Sequence, residues 1–397
     1  MEEKTNFTFP SDFIWGTSTA AAQIETAKGH PWKGVKALDG SLFERTIDHE
    51  KRRLEDAELI APLGSVYRCG VDWSSLQKEA FAPFETDVVQ SYQAFFSALE
   101  QKGTQILFVL HHFCHPNWFE NTGGWTQASN IPAFLDYVQK CIEHFGDYVC
   151  NWNTFNEPNV FVMNAYILGN FPPFKKNYFT ANKVLKIMGK AHDQAYDLIK
   201  KSKFSDLPIG ISFNTACFKA LNIWGKIPAA FTHWWFLKKA AKPFEKVDYW
   251  GISYYALVLF NPFPVTEVDQ PGLLKKLGYR HDKMWAYHPQ GLEDILQYFS
   301  QKYRKPILIT ENGICSEDSL ERIESIRDYL RVCKKVILSG VDLMGYIHWS
   351  TFDNFEWHLG NTYSFGLISV DMQSMERSWT PAASFYSKIC TSQSIDL

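Results

Sequence analysis

Short apolar runs alternate with longer amphipathic segments along most of the chain. Runs such as QILFVLHHF and PILIT have the length and composition of buried strands. Segments such as TDVVQSYQAFFSALEQ repeat apolar residues every three or four positions, which is typical of helices that pack on one face. The pattern predicts eight strands, each followed by a helix, at 12–20, 65–71, 105–113, 149–155, 208–213, 247–255, 306–310 and 343–349.

Eight β/α units in succession predict an α/β fold, a single (β/α)8 TIM barrel that forms one domain over residues 1–397. The alternative is an open doubly wound sheet, which would carry a glycine-rich phosphate turn after its first strand. The segment GTSTAAAQ at that place does not match such a turn. Helices are predicted at 52–61, 86–101, 182–203, 228–241 and 292–303, and Thr380 is predicted to cap the last one.

The connections between the predicted elements differ in length at the two ends of the barrel. Most helix-to-strand links are short, such as APLGS and QKGT. The links that follow strands one, four, six and eight are long, over about 23–50, 156–181, 256–291 and 353–380. Long loops at the carboxyl ends of the strands mark that end as the working face.

Two glutamates end predicted strands at this face. In NWNTFNEP the fourth strand runs into Asn156, Glu157 and Pro158, and in PILITENG the seventh strand ends at Glu311. Alone, the first motif has a plain alternative, a surface Asn-Glu-Pro turn, but the barrel places both glutamates on one rim. Two carboxyl groups that face each other across a barrel mouth suit glycoside hydrolysis, which needs an acid and a nucleophile or base.

Composition and charge narrow the expected partners. The chain is 46% hydrophobic and 21% charged, and its 40 basic and 43 acidic residues give a net charge of −3. This charge predicts no binding to nucleic acid or to a membrane, and no apolar stretch approaches the length of a membrane span. The start MEEKTNFTFPSDF shows no secretory leader. Eight scattered cysteines without a CxxC pair predict free thiols in a reducing compartment, and hence a cytoplasmic protein.

Three nearby histidines raise the possibility of a metal site. His111 and His112 are adjacent on a predicted strand and so point to opposite faces, and His115 follows them. No acidic or sulfur residue shares a ligand spacing with them. We therefore predict no metal and no cofactor.

Several motifs together resemble glycoside hydrolase family 1, the β-glucosidase and β-galactosidase family. The matching stretches are FPSDFIWGTSTAAAQIE, YRCGVDWSSL, LHHF, TFNEP, ISYY, ITENG and WSTFDNFEW, in the family's order from near the amino terminus to the eighth strand. The resemblance implies a (β/α)8 barrel and a retaining exo-β-glycosidase that acts on a small-molecule β-glycoside. Retention implies carboxyl groups about 5–5.5 Å apart.

The resemblance also implies roles for individual residues of this chain. It makes Glu157 the general acid/base and Glu311 the nucleophile, with Arg68 beside the nucleophile. Tyr255 would donate its hydroxyl to Glu311, and Trp285 would be the platform for the leaving group. The remaining sugar ligands that it implies are Gln23, His112, Phe113, Asn156, Trp349, Glu356 and Trp357.

Three positions depart from the family's pattern. Thr26 stands where glycine is usual, Ser253 where asparagine precedes the tyrosine pair, and Ser364 where arginine is common. None removes a catalytic group, but the Ser253 change is expected to weaken hydrogen bonding near Glu311. Glu356 occupies the region where some family members take a sugar phosphate, and its negative charge favours an unphosphorylated sugar.

The resulting prediction is a β-glycosidase, with glucose as the first choice of sugar and galactose or fucose as open alternatives, because all three present hydroxyls to the same side chains. Two other functions stay open. The three departures are compatible with a non-hydrolytic sugar-binding barrel. A transglycosidase would share the first half-reaction and then transfer the sugar to an acceptor other than water.

Overall fold

A computed structural model describes residues 6–396; the first five residues, part of the segment in which we predict no leader, lie outside the described residues. Eight parallel strands form a ring in which each strand pairs with the next and the last pairs with the first. The strands are β1 (Ile14–Ser18), β2 (Val66–Cys69), β3 (Gln105–His111), β4 (Val149–Asn156), β5 (Ile209–Ala220), β6 (Tyr249–Asn261), β7 (Ile307–Asn312) and β8 (Leu343–Trp349).

Helices follow the strands and surround the barrel, which confirms the predicted (β/α)8 fold. The doubly wound alternative is wrong, because β8 pairs in parallel with β1 and leaves no open edge between them. The outer helices are α1 (His49–Ile60), α2 (Thr86–Glu100), α3 (Ile131–Phe145), α4 (Tyr178–Lys200), α5 (Lys226–His233), α6 (Pro289–Tyr303), α7 (Ser319–Leu338) and α8 (Pro381–Ser392). As predicted, the Thr380 hydroxyl caps α8 by accepting a hydrogen bond from the backbone N–H of Ala383 at 3.1 Å.

Shorter elements fill the loops at both ends of the barrel. Helical segments lie at Ala21–Ile24, Trp73–Leu76, Asn117–Asn121 and Leu273–Lys276. Asn6–Thr8 pairs with Ser394–Asp396, and Ile368–Val370 pairs with Arg377–Trp379, in two small antiparallel sheets. Among residues 6–396, no helix combines the length and apolar character needed to cross a bilayer.

Two strands are longer than predicted. The strand predicted at 208–213 continues to Ala220, and the strand predicted at 247–255 continues to Asn261. The extra residues pair with each other from Ala216 with Ala256 to Ala220 with Phe260, so they form a two-stranded ribbon above the working face. We call residues 216–220 with 256–261 the β5–β6 ribbon. Each half satisfies the backbone groups of the other, which lets both strands continue beyond the barrel.

The predicted loop at 156–181 is in part helical. A short helix, Pro158–Met163, begins directly after β4, and residues 164–168 add a wider helical turn. Proline suits the first position of a helix because its missing N–H would have no partner there. The residue between strand and helix, Glu157, has a left-handed backbone conformation with φ of 42°.

The hydrophobic core has two main parts. A small cluster that includes Val66, Leu107, Val109, Leu308 and Ile347 fills the barrel interior. A much larger cluster lies between the strands and the surrounding helices. The inner cluster makes the barrel interior a packed core and not a pore.

Candidate active site

A fully buried arginine lies at the centre of the barrel mouth. Arg68 on β2 donates from Nη1 to Glu311 Oε1 at 2.6 Å and to Ser18 Oγ at 2.9 Å. Its Nη2 donates to Asn156 Oδ1 at 2.5 Å and to Ser212 Oγ at 2.9 Å. One guanidinium group therefore fixes side chains from β1, β4, β5 and β7. A buried charge needs such a set of partners, and Glu311 supplies the opposite charge.

Glu311 lies at the end of β7 and has a strong partner on each oxygen. Besides the ion pair with Arg68 at Oε1, its Oε2 accepts a hydrogen bond from the Tyr255 hydroxyl at 2.7 Å. Burial raises the pKa of Glu311 above its ordinary value, and the Arg68 charge and the Tyr255 hydrogen bond offset part of that rise by favouring the ionised carboxylate. These partners make Glu311 the carboxyl group of the site that takes the negative charge.

Glu157 has no such cation in contact. Its backbone N–H donates to the Ser212 carbonyl at 2.7 Å, and its Oε1 accepts from Asn214 Nδ2 at 2.8 Å. Burial is the largest cause that raises the pKa of Glu157, and the negative charge of Glu311 is the second. Together they raise this pKa to about 8, and the hydrogen bond from Asn214 opposes them with a smaller effect. At neutral pH Glu157 therefore keeps its proton while Glu311 is ionised. Two glutamates of one barrel rim are thus held in different protonation states by their surroundings.

Asn156 and His112 form the next pair around the rim. Because Asn156 Oδ1 accepts from Arg68, its Nδ2 is the atom that faces His112 Nε2 at 2.9 Å, and it donates to that nitrogen. His112 is then neutral and carries its proton on Nδ1. Burial, with the nearby Arg68 charge, holds the pKa of His112 well below its usual value. Its Nδ1 has no hydrogen-bond partner among residues 6–396 and is available as a donor to a ligand.

Gln23 and Glu356 come together from opposite ends of the chain. Gln23 Nε2 lies 2.9 Å from Asn354 Oδ1, 3.0 Å from the Phe355 carbonyl and 3.1 Å from Glu356 Oε2. Burial of the carboxyl group, together with the charge of Glu311, raises the pKa of Glu356 to about 8. The raised pKa weakens the repulsion of a phosphate that we predict from the Glu356 charge.

Aromatic rings line the same part of the mouth. Trp357 is buried with φ of 48°, and its ring centroid lies 5.2 Å from that of Phe113 and 6.1 Å from that of His112. Trp349 ends β8, and its ring lies 5.9 Å from His112. These rings supply apolar faces beside the polar groups, as the C–H face of a sugar requires.

Trp285 lies on the other side of Glu311, in the loop after β6. Its ring centroid lies 6.5 Å from that of Tyr255, and it is half-buried. The loop is held by Asp282, whose carboxylate accepts hydrogen bonds from the backbone N–H groups of Met284, Trp285 and Cys315. The platform residue implied by the resemblance therefore lies near Tyr255, which donates to Glu311, and Asp282 holds its backbone in place.

Sequence reasoning missed several residues that orient the predicted ones. They are mainly polar side chains at or near strand ends, namely Ser18, Ser212, Asn214, Asp282 and Asn354. A signal was present for Ser212 and Asn214, because SFN follows the apolar start of the fifth strand in the same way that FNE ends the fourth. Because the strand was predicted to end at residue 213, this polar strand end was not recognised as part of the working face.

The histidine cluster differs from its prediction in one respect. His111 and His112 do point to opposite sides, but an acidic residue does contact the cluster, since Glu120 Oε2 lies 2.9 Å from His115 Nε2. His111 Nε2 lies 3.3 Å from His115 Nδ1 and accepts from Trp125 Nε1 at 3.2 Å. The side chains thus form a buried chain of contacts behind the barrel wall. No group of three or more His, Cys, Asp or Glu suited to a metal ion is found within the described part of the chain.

The three departures from the family's pattern have different surroundings. Thr26 does not have a positive φ, so glycine is not required there. Ser253 lies beside Glu311 in the β6–β7 register, and its buried hydroxyl has no hydrogen-bond partner among residues 6–396 but is close enough to Glu157 to lower the pKa of that residue. Ser253 therefore contributes no side-chain hydrogen bond to Glu311, and the weakening expected there stays a prediction.

Ser364 Oγ donates to Asp353 Oδ1 at 2.6 Å. These two residues border a cavity of about 500 Å³ that also contacts Lys283, Glu317 and Met372. Neither of the rim glutamates Glu157 and Glu311 lines it. The serine thus leaves open space beside the loop that carries Trp285.

The closed barrel and the buried, unequal carboxyl pair define a class of enzyme, the O-glycosyl hydrolases. The sequence matches the family described as Glycosyl hydrolase family 1 over residues 5–222 and 238–395. The chain belongs to this family, as the motifs predict, and it is a β-glycosidase by class.

Relatives and solved structures agree with this assignment. Beta-glucosidase A of Acetivibrio thermocellus is 26% identical over 442 residues, covering 97% of this chain and 98% of the relative. Coniferin beta-glucosidase of Pinus contorta is 28% identical, covering 93% and 89%. The structure of a beta-glycosidase from Pyrococcus horikoshii has a TM-score of 0.87 at 28% identity, covering 98% and 96%. That of a beta-glucosidase from Thermotoga maritima in complex with deoxynojirimycin has a TM-score of 0.86 at 25% identity, covering 97% and 99%.

Proposed function

We propose that the protein is a retaining exo-β-glycosidase, with Glu157 as general acid/base and Glu311 as nucleophile. The observation that carries this proposal is the uneven distribution of charge around the two glutamates. Arg68 contacts Glu311 at 2.6 Å, whereas the pKa of Glu157 is raised to about 8. A retaining enzyme needs one ionised and one protonated carboxyl group in the free state.

In the first step, ionised Glu311 attacks the anomeric carbon while Glu157 gives its proton to the leaving oxygen. The negative charge of Glu311 is consumed in the new covalent bond, so the pKa of Glu157 falls when it must become a base. In the second step, Glu157 takes a proton from water, and that water releases the sugar from Glu311. Retention requires the two carboxyl groups to lie about 5–5.5 Å apart.

The ligand set favours a single unphosphorylated sugar at the closed end of the site. Gln23, Glu356 and His112 offer donors and acceptors to its hydroxyls, and the free N–H of Asn156 suits the 2-OH. Behind Trp357, the rings of Trp32 and Phe171 lie 5.1 and 6.0 Å away from it, which leaves no room for a longer chain on that side. These contacts support exo action.

The names of the relatives favour glucose, with galactose and fucose as alternatives that a substrate panel resolves. We also propose that residues 1–397 form one domain. All eight cysteines are free, which suits a cytoplasmic location with reducing conditions.

The test combines turnover, stereochemistry and covalent trapping. Wild type should hydrolyse an aryl β-glucoside with retained configuration by NMR, and a 2-fluoro-glucoside should add the mass of one sugar at Glu311. Glu311→Gln should abolish turnover and trapping. Glu293→Gln is the matched control, because Glu293 is equally buried and paired with Lys335 at 2.7 Å but lies on the outer helix α6. It should retain both activities.

Three results would contradict the proposal. Inverted product would exclude Glu311 as a nucleophile. Sugar binding without turnover or adduct would favour the non-hydrolytic barrel. Transfer to an added alcohol that outcompetes water at low alcohol concentration would favour the transglycosidase.

A further inference from the structure

One side of the working face exposes an unusual group of large apolar side chains. Trp224 is 76% exposed, Ile227 81%, Phe179 85% and Phe263 76%, and Phe231 and Trp234 are also exposed. We call these six residues the Trp224 face. Single exposed apolar residues are normal on protein surfaces, but a group of this size marks an interaction site.

The amphipathic pattern of α5 builds most of this face. Ile227, Phe231 and Trp234 are spaced by four and three residues, so they share one side of the helix. The opposite side is buried through Ala229 and, in the turn that continues the helix, through residues 235–237. The helix is therefore anchored by one apolar side and presents a second apolar side outward, which folding alone does not require.

Contacts group these residues at two ends of the face, which helix α5 connects. The Phe231 ring lies 5.8 Å from Trp234 and 6.4 Å from Tyr178, which in turn lies 6.1 Å from Phe179. At the other end, the Asn222 side chain donates to Asn261, which links the turn carrying Trp224 to the tip of the β5–β6 ribbon beside Phe263.

Lysines border most of the same surface, and the segment that carries Phe263 adds two acidic residues, Glu267 and the exposed Asp269. Segments 171–190 and 219–242 contain ten lysines and no Asp or Glu, although the chain as a whole has a net charge of −3. Lys226, Lys238 and Lys242 are exposed, and the Lys239 ammonium lies over the rings of Tyr178 and Trp234. The predicted lack of a membrane partner came from the average charge, which conceals this local excess.

We propose that the Trp224 face docks onto a bilayer surface that contains anionic lipid. Trp and Phe side chains insert at the boundary between headgroups and acyl chains, and lysines around them attract anionic headgroups. A second copy of the chain is a poorer occupant, because a symmetric contact would bring the lysine border of one copy against that of the other.

Two further observations support a role outside the catalytic scaffold. Residues 223–237, which carry four of the six side chains, fall between the two segments matched by the family. The face also stands above the barrel mouth, since β5 continues six residues beyond Asn214, a rise of about 20 Å. Docking through it would turn the working face toward the bilayer. This inference does not depend on the roles proposed for the glutamates.

Sedimentation with lipid vesicles tests the proposal on the full chain. Wild type should bind vesicles with about 30% phosphatidylserine more strongly than pure phosphatidylcholine vesicles, and high salt should release it. The double variant Trp224→Ser/Ile227→Ser should lose at least about tenfold in partitioning. Lys226→Glu/Lys238→Glu should lose roughly fivefold or more per lysine.

Leu338→Ser is the matched control, because Leu338 is 71% exposed at the carboxyl end of α7, on the opposite end of the barrel. It should bind as wild type does, and all variants should keep wild-type turnover of a water-soluble aryl β-glucoside. Equal binding of wild type to both kinds of vesicle would overturn the proposal, as would unchanged binding of the Trp224→Ser/Ile227→Ser variant. A dimer by light scattering that this variant abolishes, without any vesicle binding, would assign the face to a second copy and also overturn it.

Discussion

Replacing Tyr255 by phenylalanine removes one hydroxyl from the site with little other change. The hydroxyl donates to Glu311 Oε2 at 2.7 Å, while the ring is held between Trp285 and Phe365, with centroids at 6.5 and 6.0 Å. Phenylalanine fills the same space, so the ring contacts should persist. The variant therefore isolates a single hydrogen bond to the carboxylate that we propose as nucleophile.

The expected size follows from the charge on the acceptor. A hydrogen bond to an ionised group contributes about 1.5–3 kcal/mol, and 1.36 kcal/mol corresponds to one pH unit. Because Tyr255 is only half-buried, we take the lower end, a change of about one pH unit. The bond favours the ionised form of Glu311, so its loss raises the pKa of Glu311. Since the nucleophile must be ionised, the acidic limb of kcat/KM should move to higher pH.

The assay is the pH dependence of kcat/KM for an aryl β-glucoside in both variants of the tyrosine pair. Tyr254→Phe is the matched control, because the Tyr254 hydroxyl donates to the His288 carbonyl at 2.7 Å and not to a carboxylate. It should lower the free energy of unfolding by about 1 kcal/mol and leave the acidic limb in place. An acidic limb that stays fixed in Tyr255→Phe, or moves equally in both variants, would refute the reasoning.

Three further predictions concern the same charges. The alkaline limb of wild-type kcat/KM should lie near pH 8, because Glu157, with a pKa of about 8, must hold its proton. The limb should disappear in Glu157→Gln when this variant is assayed with a substrate that has a highly activated leaving group, and a limb that persists would contradict the prediction. Asn214→Ala removes the donor to Glu157 Oε1, so the pKa of Glu157 rises and the alkaline limb should move to higher pH in the same titration. Arg68→Met leaves Glu311 buried without its cation, and urea unfolding should show a loss of about 3–5 kcal/mol at neutral pH, with turnover lowered by at least about 10²-fold; wild-type turnover would contradict it.

The barrel could be predicted from the sequence because its strands are short apolar runs between well-marked helices. The eighth strand has the predicted bounds, 343–349, and others differ mainly at their ends. The β5–β6 ribbon could not be predicted, because its two halves are stable only through pairing with each other above the barrel. Local pattern contains no information on whether two such extensions meet in space.

For the site, the motifs predicted which residues meet at the barrel mouth but not all of the residues that orient them. Motif order brought Glu157, Glu311, Arg68 and Asn156 to one rim, where the structure also has them. Burial and the nearby Glu311 raise the pKa of Glu356 to about 8, and neither effect is visible along the chain. The partner of Glu157 was missed because Asn214 comes from a strand that continues past its predicted end.

The electrostatics of the mouth depend on a balance between one cation and three carboxyl groups. Arg68 can offset one negative charge, and it lies in contact with Glu311. The pKa values of Glu157 and Glu356 are both raised to about 8, with the charge of Glu311 among the causes. At neutral pH the site therefore favours one anion, Glu311. Glu157 keeps a proton for the leaving oxygen, and Glu356 keeps a proton that it can donate to a sugar hydroxyl. It follows that changes at Tyr255, next to the anion, and at Asn214, next to the acid, should act on opposite limbs of one pH profile.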